Sequence, residues 1–85
     1  MEIKEVILTQ KFESDIKHIK DALMNEKIKK HISKIIERPE IGKPLKYFLK
    51  GERTVYIWPY RLIYTLSEDK LILLRFEHRK DAYKQ

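Results

Sequence analysis

Apolar residues recur at two different spacings along this chain, and the first half carries both. Ile3 and the run at 6–8 predict a strand over residues 2–8, because β-branched and apolar residues are clustered there. Two stripes with helical spacing follow, and each indicates an amphipathic helix: Phe12, Ile16, Ile19 and Leu23, then Ile28, Ile32, Ile35 and Ile36. We expect Thr9 and Asn25 to cap these helices, and Pro39 to end the second one.

The second half changes to short apolar runs separated by turn residues. Gly42-Lys43-Pro44 predicts a loop, and strands are expected over 53–58, 60–67 and 71–77. The short connections favour an antiparallel meander. The predicted fold class is therefore α+β, with an N-terminal strand, a two-helix hairpin and a three-stranded meander in one domain spanning 1–85.

Side chains alternate between the two faces of a sheet, and two helices can cover only one of them. We expect the helix-covered face to carry Val55, Ile57, Leu62, Tyr64, Ile72, Leu74 and Phe76. Arg61 and Arg75 would then point to the open face, near Tyr56 and Trp58. That face would also keep Ile63, Leu71 and Leu73 exposed, and an open apolar patch beside basic groups predicts a partner site.

Amino-acid composition excludes several kinds of functional site. The chain has 85 residues, no cysteine and two glycines, which exclude disulfides, cysteine-ligated zinc and a glycine-rich phosphate loop. No metal site and no cofactor is expected. No stretch is apolar enough for a signal peptide or a membrane span, so the expected location is cytoplasmic.

The formal net charge of +6 lies almost entirely in the second half. Residues 43–85 hold ten Lys and Arg against five Asp and Glu. This asymmetry favours a polyanionic partner. Solubility alone could also explain a surface rich in lysine.

Four residues in this basic half form a candidate site for RNA cleavage: Arg61, His78, Arg79 and Tyr83. Internal attack by a ribose 2′-hydroxyl needs proton transfer and cations that stabilise charge on the phosphate. Arginine suits the second role and histidine the first. Further RNA contacts are expected from Lys46, Lys50, Arg53, Tyr56, Arg75 and Lys80.

Each candidate also has a purely structural alternative. Arg61 could pair with Glu52 or Glu77 across the sheet, and Arg79 could be a solvated charge. His78 could be an exposed residue at a strand end, and Tyr83 could pack the C-terminal segment against the sheet. These alternatives stay open at the level of sequence.

The chain resembles the RelE/ParE superfamily of toxins. The resemblance rests on the order of elements, on the basic segment Gly42-Lys43-Pro44-Leu45 to Gly51, on Tyr60-Arg61-Leu62-Ile63-Tyr64, and on the ending His78-Arg79-Lys80-Asp81-Ala82-Tyr83. It implies a toxin of a type II toxin–antitoxin system that cuts mRNA without a metal, often on the ribosome, and that a cognate antitoxin neutralises. It also implies that Arg61 contacts the scissile phosphate, with Arg79 as a second phosphate contact and Tyr83 nearby.

One departure from the family pattern affects the chemistry. Some members carry two basic residues on the strand before the Tyr-Arg segment, where this chain has Thr54 and Tyr56. His78 therefore becomes the candidate for proton transfer. The departure also keeps two alternatives open: a ParE-like toxin that binds DNA gyrase without cutting RNA, and a catalytically weak RNA-binding module. Whether the toxin cuts RNA or binds gyrase, the antitoxin is expected to cover Leu71, Leu73 and the helix surfaces.

Overall fold

The structure is a computed structural model, and it describes residues 1–45 and 51–82, without the side chains of residues 81 and 82. Its elements follow the chain in this order: β1 (Glu5–Leu8), α1 (Gln10–Lys17), α2 (Ala22–Glu37), a 3₁₀ turn (Pro39–Ile41), β2 (Lys43–Pro44), β3 (Glu52–Ile57), β4 (Tyr60–Ser67), β5 (Lys70–His78) and α3 (Arg79–Ala82). The α+β class is confirmed.

The strands form one sheet in the order β1-β5-β4-β3-β2. β3, β4 and β5 form the expected antiparallel meander. β1 adds to it in parallel beside β5, from Glu5 opposite Lys70 to Leu8 opposite Leu73. The predicted loop at 42–44 contains the two-residue strand β2, which pairs with β3. The sheet is therefore wider than the meander alone.

The boundaries of the helices differ from those expected. α1 ends at Lys17, so Ile19 lies in the connection to α2. Asp21 caps α2, because its carboxylate accepts hydrogen bonds from the backbone N–H groups of Leu23 and Met24. The expectation that Asn25 is the cap is wrong: its amide donates to the Ile19 carbonyl from inside the helix. Leu23 is consequently 73% exposed.

The core lies between the helices and one face of the sheet. Phe12 of α1 and Met24, Ile28 and Ile35 of α2 pack against Ile57, Leu62, Tyr64, Leu71, Leu73 and Phe76. Thr9 fastens α1 to the sheet, since its hydroxyl accepts the Phe12 N–H and lies 2.9 Å from the Leu73 carbonyl oxygen. The helices therefore cover one face of the sheet and leave the opposite face open.

A β-bulge reverses the expected alternation in β5. Ile63 pairs with Arg75, but the next residue of β4, Tyr64, pairs with Leu73, which leaves Leu74 as the extra residue. Leu71 and Leu73 consequently face the helices and are 0% exposed. The expectation that they lie open for an antitoxin is wrong, as is the assignment of Ile72 and Leu74 to the helix-covered face.

Tyr64 ties the core to the segment that enters β2. Its hydroxyl donates to the Pro39 carbonyl over 2.6 Å and accepts the Gly42 N–H over 2.9 Å. A Cβ at position 42 would come within 2.7 Å of this hydroxyl, so the contact requires glycine. Burial raises the pKa of Tyr64 above its ordinary value of 10.0, because the phenolate would lose its hydration.

No helix in the described residues is long and apolar enough to cross a membrane.

Candidate nucleic-acid interface

The open face of the sheet carries a network of two arginines and two glutamates. Arg61 of β4 lies directly opposite Glu77 of β5, and its Nη2 donates to Glu77 Oε1 over 3.2 Å. The same oxygen accepts the Arg75 Nε–H over 3.2 Å. Arg75 also reaches across β4, where its Nη2 donates to Glu52 Oε1 of β3 over 2.9 Å. The four formal charges cancel.

This network is partly buried, so its side chains have little freedom to change rotamer. The side chains of Arg61 and Glu77 are 18% and 15% exposed. Beneath the network, Ile63 and Thr54 are buried although they point away from the helices. The Arg75 side chain crosses β4 between its partners on β5 and β3, so it covers this part of the sheet. The structural alternative for Arg61, pairing with Glu77, is therefore realised.

Arg61 nevertheless uses only part of its hydrogen-bonding capacity. Guanidinium Nε and Nη2 form one edge that can hold two oxygens of a carboxylate or phosphate. Glu77 engages this edge through one oxygen at Nη2, and Nε is buried without an acceptor in the described part of the chain. A buried donor without an acceptor costs free energy. A two-oxygen anion would satisfy the guanidinium better than Glu77 does.

One end of the open face is aromatic and exposed. Tyr56 lies opposite Arg61 on β3 and is 54% exposed, and Trp58 in the following turn is 64% exposed. The Arg79 guanidinium lies over the Trp58 ring, 4.5 Å from its centroid. The Arg79 N–H donates to the Pro59 carbonyl over 2.9 Å, which holds the start of α3 against this turn. Exposed rings beside guanidinium groups suit single-stranded nucleic acid.

His78 does not share this face with Arg61. It lies opposite Tyr60, and both point to the helix side together with Ile57. There His78 meets the Tyr60 ring edge-on at 5.2 Å, and Tyr60 stacks on Phe76 at 4.8 Å. The sequence placed Arg61 and His78 in one candidate site, but the structure puts the two side chains on opposite sides of the sheet. Strand alternation separates them, because Arg61 pairs with Glu77 and His78 is the next residue.

A cavity of about 440 Å³ lies where His78 is found, and Arg61 does not line it. Its lining comes from α1, the segment after α1, the start of β4 and the end of β5: Lys11, Asp15, His18, Ile19, Tyr60 and residues 75–78. Sequence reasoning missed this cavity. No pattern predicted it, because the cavity depends on the early end of α1 at Lys17.

The remaining predicted RNA contacts are divided by the fold. Arg53 points to the helix side, where its Nη1 donates to the carbonyls of Glu40 and Gly42 over 3.2 and 2.8 Å. Arg75 belongs to the open-face network. Lys80 is exposed, and its backbone N–H donates to His78 Nδ1 over 3.1 Å. The predicted residues Lys46, Lys50 and Tyr83 lie outside the described residues.

The described residues contain no cluster of three or more His, Asp or Glu side chains that could hold a metal ion. The open face offers a half-used guanidinium edge at Arg61, exposed aromatic rings and the Arg79 guanidinium beside them. This set can hold a phosphate next to a stacked base.

The chain is similar to toxins of toxin–antitoxin systems. The family model for the ParE toxin of the type II toxin–antitoxin system parDE matches residues 6–83. No curated protein sequence matches the chain.

Solved structures share its fold. A chain of the RelBE2 toxin–antitoxin complex from Mycobacterium tuberculosis is 23% identical, with a TM-score of 0.78 over 93% of this chain and 94% of that one. A chain of the RelB–RelE antitoxin–toxin complex from Methanococcus jannaschii is 21% identical, with a TM-score of 0.74 over 91% of this chain and 94% of that one. A chain of the YoeB dimer from Staphylococcus aureus is 23% identical, with a TM-score of 0.75 over 87% of this chain and 94% of that one. At these identities the likeness concerns the fold.

Proposed function

Because the chain belongs to the family of ParE toxins of type II toxin–antitoxin systems, we propose that this toxin is an endoribonuclease. In this proposal it cuts mRNA, in association with the ribosome and without a metal, by attack of a ribose 2′-hydroxyl on the adjacent phosphate. Arg61 receives the scissile phosphate on the open face, and Arg79 contacts a neighbouring one.

The observation that carries the proposal is the way Glu77 is shared. Glu77 Oε1 accepts from Arg61 and from Arg75. When the Arg61 guanidinium turns to a phosphate, Glu77 therefore keeps Arg75 as its partner, and no carboxylate is left buried and unpaired. Arg61 gains an acceptor for its Nε–H at the same time. Replacing Glu77 by a phosphate therefore improves the hydrogen bonding of Arg61, and it leaves Glu77 paired with Arg75.

The bases beside that phosphate would stack on Tyr56 and Trp58, which are exposed at the same end of the sheet. Stacking on aromatic rings is worth about 1–3 kcal/mol per base and tolerates any sequence. Tyr83 remains a proposed contact near the scissile phosphate, and Lys46 and Lys50 remain proposed phosphate contacts. The position of His78 on the helix side removes the geometric support for its role as the proton-transfer group at Arg61.

Cleavage of RNA by the purified full chain, with and without ribosomes, tests the proposal. Arg61→Ala is expected to lower the cleavage rate by about 10²–10³, the usual effect of removing a group that stabilises transition-state charge. Arg38→Ala, a change of the same type at an exposed position beyond α2, should leave the rate unchanged. A normal rate for the Arg61→Ala variant would remove the assignment.

A second candidate is a toxin that binds DNA gyrase and cuts no RNA. The family match to ParE favours it, and so does the neutralised open face, in which both arginines already have carboxylate partners. A supercoiling assay separates the two functions. Inhibited supercoiling together with intact RNA would support the second candidate and contradict the first.

The proposed protein partner is a cognate antitoxin with an apolar and acidic segment. Its contacts cannot include Leu71 and Leu73, which are fully buried. The exposed rings of Tyr56 and Trp58, with Arg79 beside them, offer apolar and basic surface instead. An antitoxin bound there would cover the proposed path of the RNA and neutralise the toxin by exclusion.

A further inference from the structure

The cavity beside His78 is a second place where the molecule can hold a ligand. Arg61 does not line it, although Arg75 and Glu77 of the open-face network do. It is bounded by α1 from Lys11 onward and by residues 75–78 of β5, and Tyr60 of β4 also lines it. Its volume of about 440 Å³ is within the range of small-ligand sites. It is large enough for one nucleotide.

The edge of β5 explains why the cavity exists. β1 accompanies β5 only as far as Leu73, so no strand of the described chain pairs with residues 74–78 on that side. Asp15 of α1 fills the edge instead, because its carboxylate accepts the Phe76 N–H over 2.9 Å. Lys11 pairs with the same carboxylate. The occupied edge disfavours addition of a peptide strand and leaves a cavity walled by side chains.

The cavity contains a surface on which a planar ring can stack. Tyr60 and Phe76 are stacked at 4.8 Å with 19° between their planes, and the His78 imidazole meets Tyr60 at 79°. Tyr60 is partly exposed, so it retains accessible ring surface. Stacking of this kind is the usual means by which proteins hold unpaired bases.

Two histidines supply polar groups, and their hydrogen bonds assign their neutral tautomers. His18 Nδ1 lies 2.8 Å from the Ser14 carbonyl, so this nitrogen carries the proton and Nε2 is an acceptor. His78 Nδ1 accepts the Lys80 N–H, so its Nε2 carries the proton and is a donor. Both histidines line the cavity, so together they can present one donor and one acceptor to the mixed edge of a nucleobase. Lys11 lines the same cavity and supplies a cation for a phosphate.

We propose that this cavity binds one nucleotide of single-stranded RNA, with its base on Tyr60 between His18 and His78 and its phosphate at Lys11. The inference rests on the proposed function for the identity of the ligand as RNA. It adds a second subsite on the helix side of the sheet. The Trp58–Pro59 turn lies between Tyr56 on the open face and Tyr60 in the cavity, and Arg79 lies over Trp58. An RNA strand leaving Arg61 passes this turn to reach the cavity.

The test is titration of the full chain with adenosine, uridine and their 5′-monophosphates, followed by NMR of the imidazole signals and by the dissociation constant. His18→Ala is expected to weaken binding at least about fivefold, the loss of one hydrogen bond of about 1 kcal/mol. His31→Ala is the matched control, because His31 Nδ1 makes the same 2.8 Å contact to a carbonyl four residues earlier and lies outside the cavity. It should bind normally.

Lys11→Ala is a second variant, and it probes the phosphate. It should reduce the advantage of each monophosphate over its nucleoside and leave nucleoside binding unchanged. Equal dissociation constants for the wild-type and His18→Ala chains would overturn the inference, as would the absence of nucleotide binding. Displacement of bound nucleotide by an acidic peptide that itself binds with dependence on His18 would assign the cavity to a protein partner and would also overturn it.

Arg61→Ala separates this inference from the proposed function. The variant should lose RNA cleavage and still bind nucleotides in the cavity. If the wild-type chain cuts no RNA but binds nucleotides with dependence on His18, the proposed nuclease function fails and the cavity assignment stands. If cleavage depends on Arg61 but no nucleotide binds, the cavity assignment fails alone.

Discussion

The two faces of the sheet hold polar groups in opposite ways. On the open face, Arg61, Arg75, Glu52 and Glu77 neutralise one another, and their contacts span three strands. On the helix side, the polar groups at the end of the sheet are bound mainly to backbone: Asp15 to the Phe76 N–H, and His78 to the Lys80 N–H. Formal charge alone therefore does not locate an anion site in this fold. The four paired groups are neutral overall, so the proposed phosphate site at Arg61 requires the exchange of one internal pair.

The largest expected effect concerns how the bulge divides β5 between the two faces. Leu73→Ala should lower the free energy of unfolding by about 2–5 kcal/mol, because Leu73 is fully buried under the helices. Leu74→Ala, at the extra residue of the bulge, should cost less than half as much. Urea denaturation of both variants measures this difference. Equal losses would contradict the assignment of Leu73, and not Leu74, to the core.

A smaller effect tests the open-face pairs. Glu77→Gln removes the charge that two arginines share, so the free energy of unfolding should fall by about 1–2 kcal/mol, since the pair is only partly buried. Affinity for a non-cleavable RNA should rise by up to roughly tenfold, because no carboxylate competes at Arg61. Fluorescence titration of labelled RNA measures this change.

Glu52→Gln is the control for that experiment, since Glu52 contacts Arg75 and not Arg61. It should leave RNA affinity close to the wild-type value. If Glu77→Gln weakened RNA binding, Glu77 would be a contact of the RNA and not its competitor.

The smallest effect is a dependence of stability on pH at the Tyr64 contact. Burial raises the pKa of Tyr64 in the folded chain. Above pH 10 the unfolded chain therefore loses this proton while the folded chain keeps it, and stability falls as the pH rises. The contribution between pH 9 and 10.5 is below about 1 kcal/mol. Tyr64→Phe should decline less steeply over this range in thermal denaturation, and an identical slope would contradict the raised pKa.

Sequence patterns predicted the strands of the meander well, because alternation and turn residues are local properties. β4 runs over Tyr60–Ser67 as expected, and β3 and β5 differ from expectation by one residue at each end. The bulge was not predictable from alternation, since Leu71 to Leu74 are four leucine or isoleucine residues with no polar position among them. Either face of that segment could have been buried, and packing against Phe12 of α1 decides which one is.

The candidate site was predicted in part for the same reason. Alternation placed Arg61, Arg75 and Glu77 on one face, and the structure adds that their charges are paired. His78 was expected in the same site as Arg61, but the alternation of side chains along the strands separates the two. The cavity arises from the relation of α1 to an unpaired strand edge. That relation is tertiary, and no single element encodes it.

The central claim is that Arg61 exchanges Glu77 for an RNA phosphate. The most direct measurement is the NMR signal of the Arg61 Nε–H during titration of the full chain with an RNA whose 2′-hydroxyls are methylated. At saturation this signal should shift strongly, because a buried donor acquires a charged acceptor, while the Arg75 Nε–H should shift little because it stays on Glu77. An unchanged Arg61 signal with RNA fully bound would contradict the account.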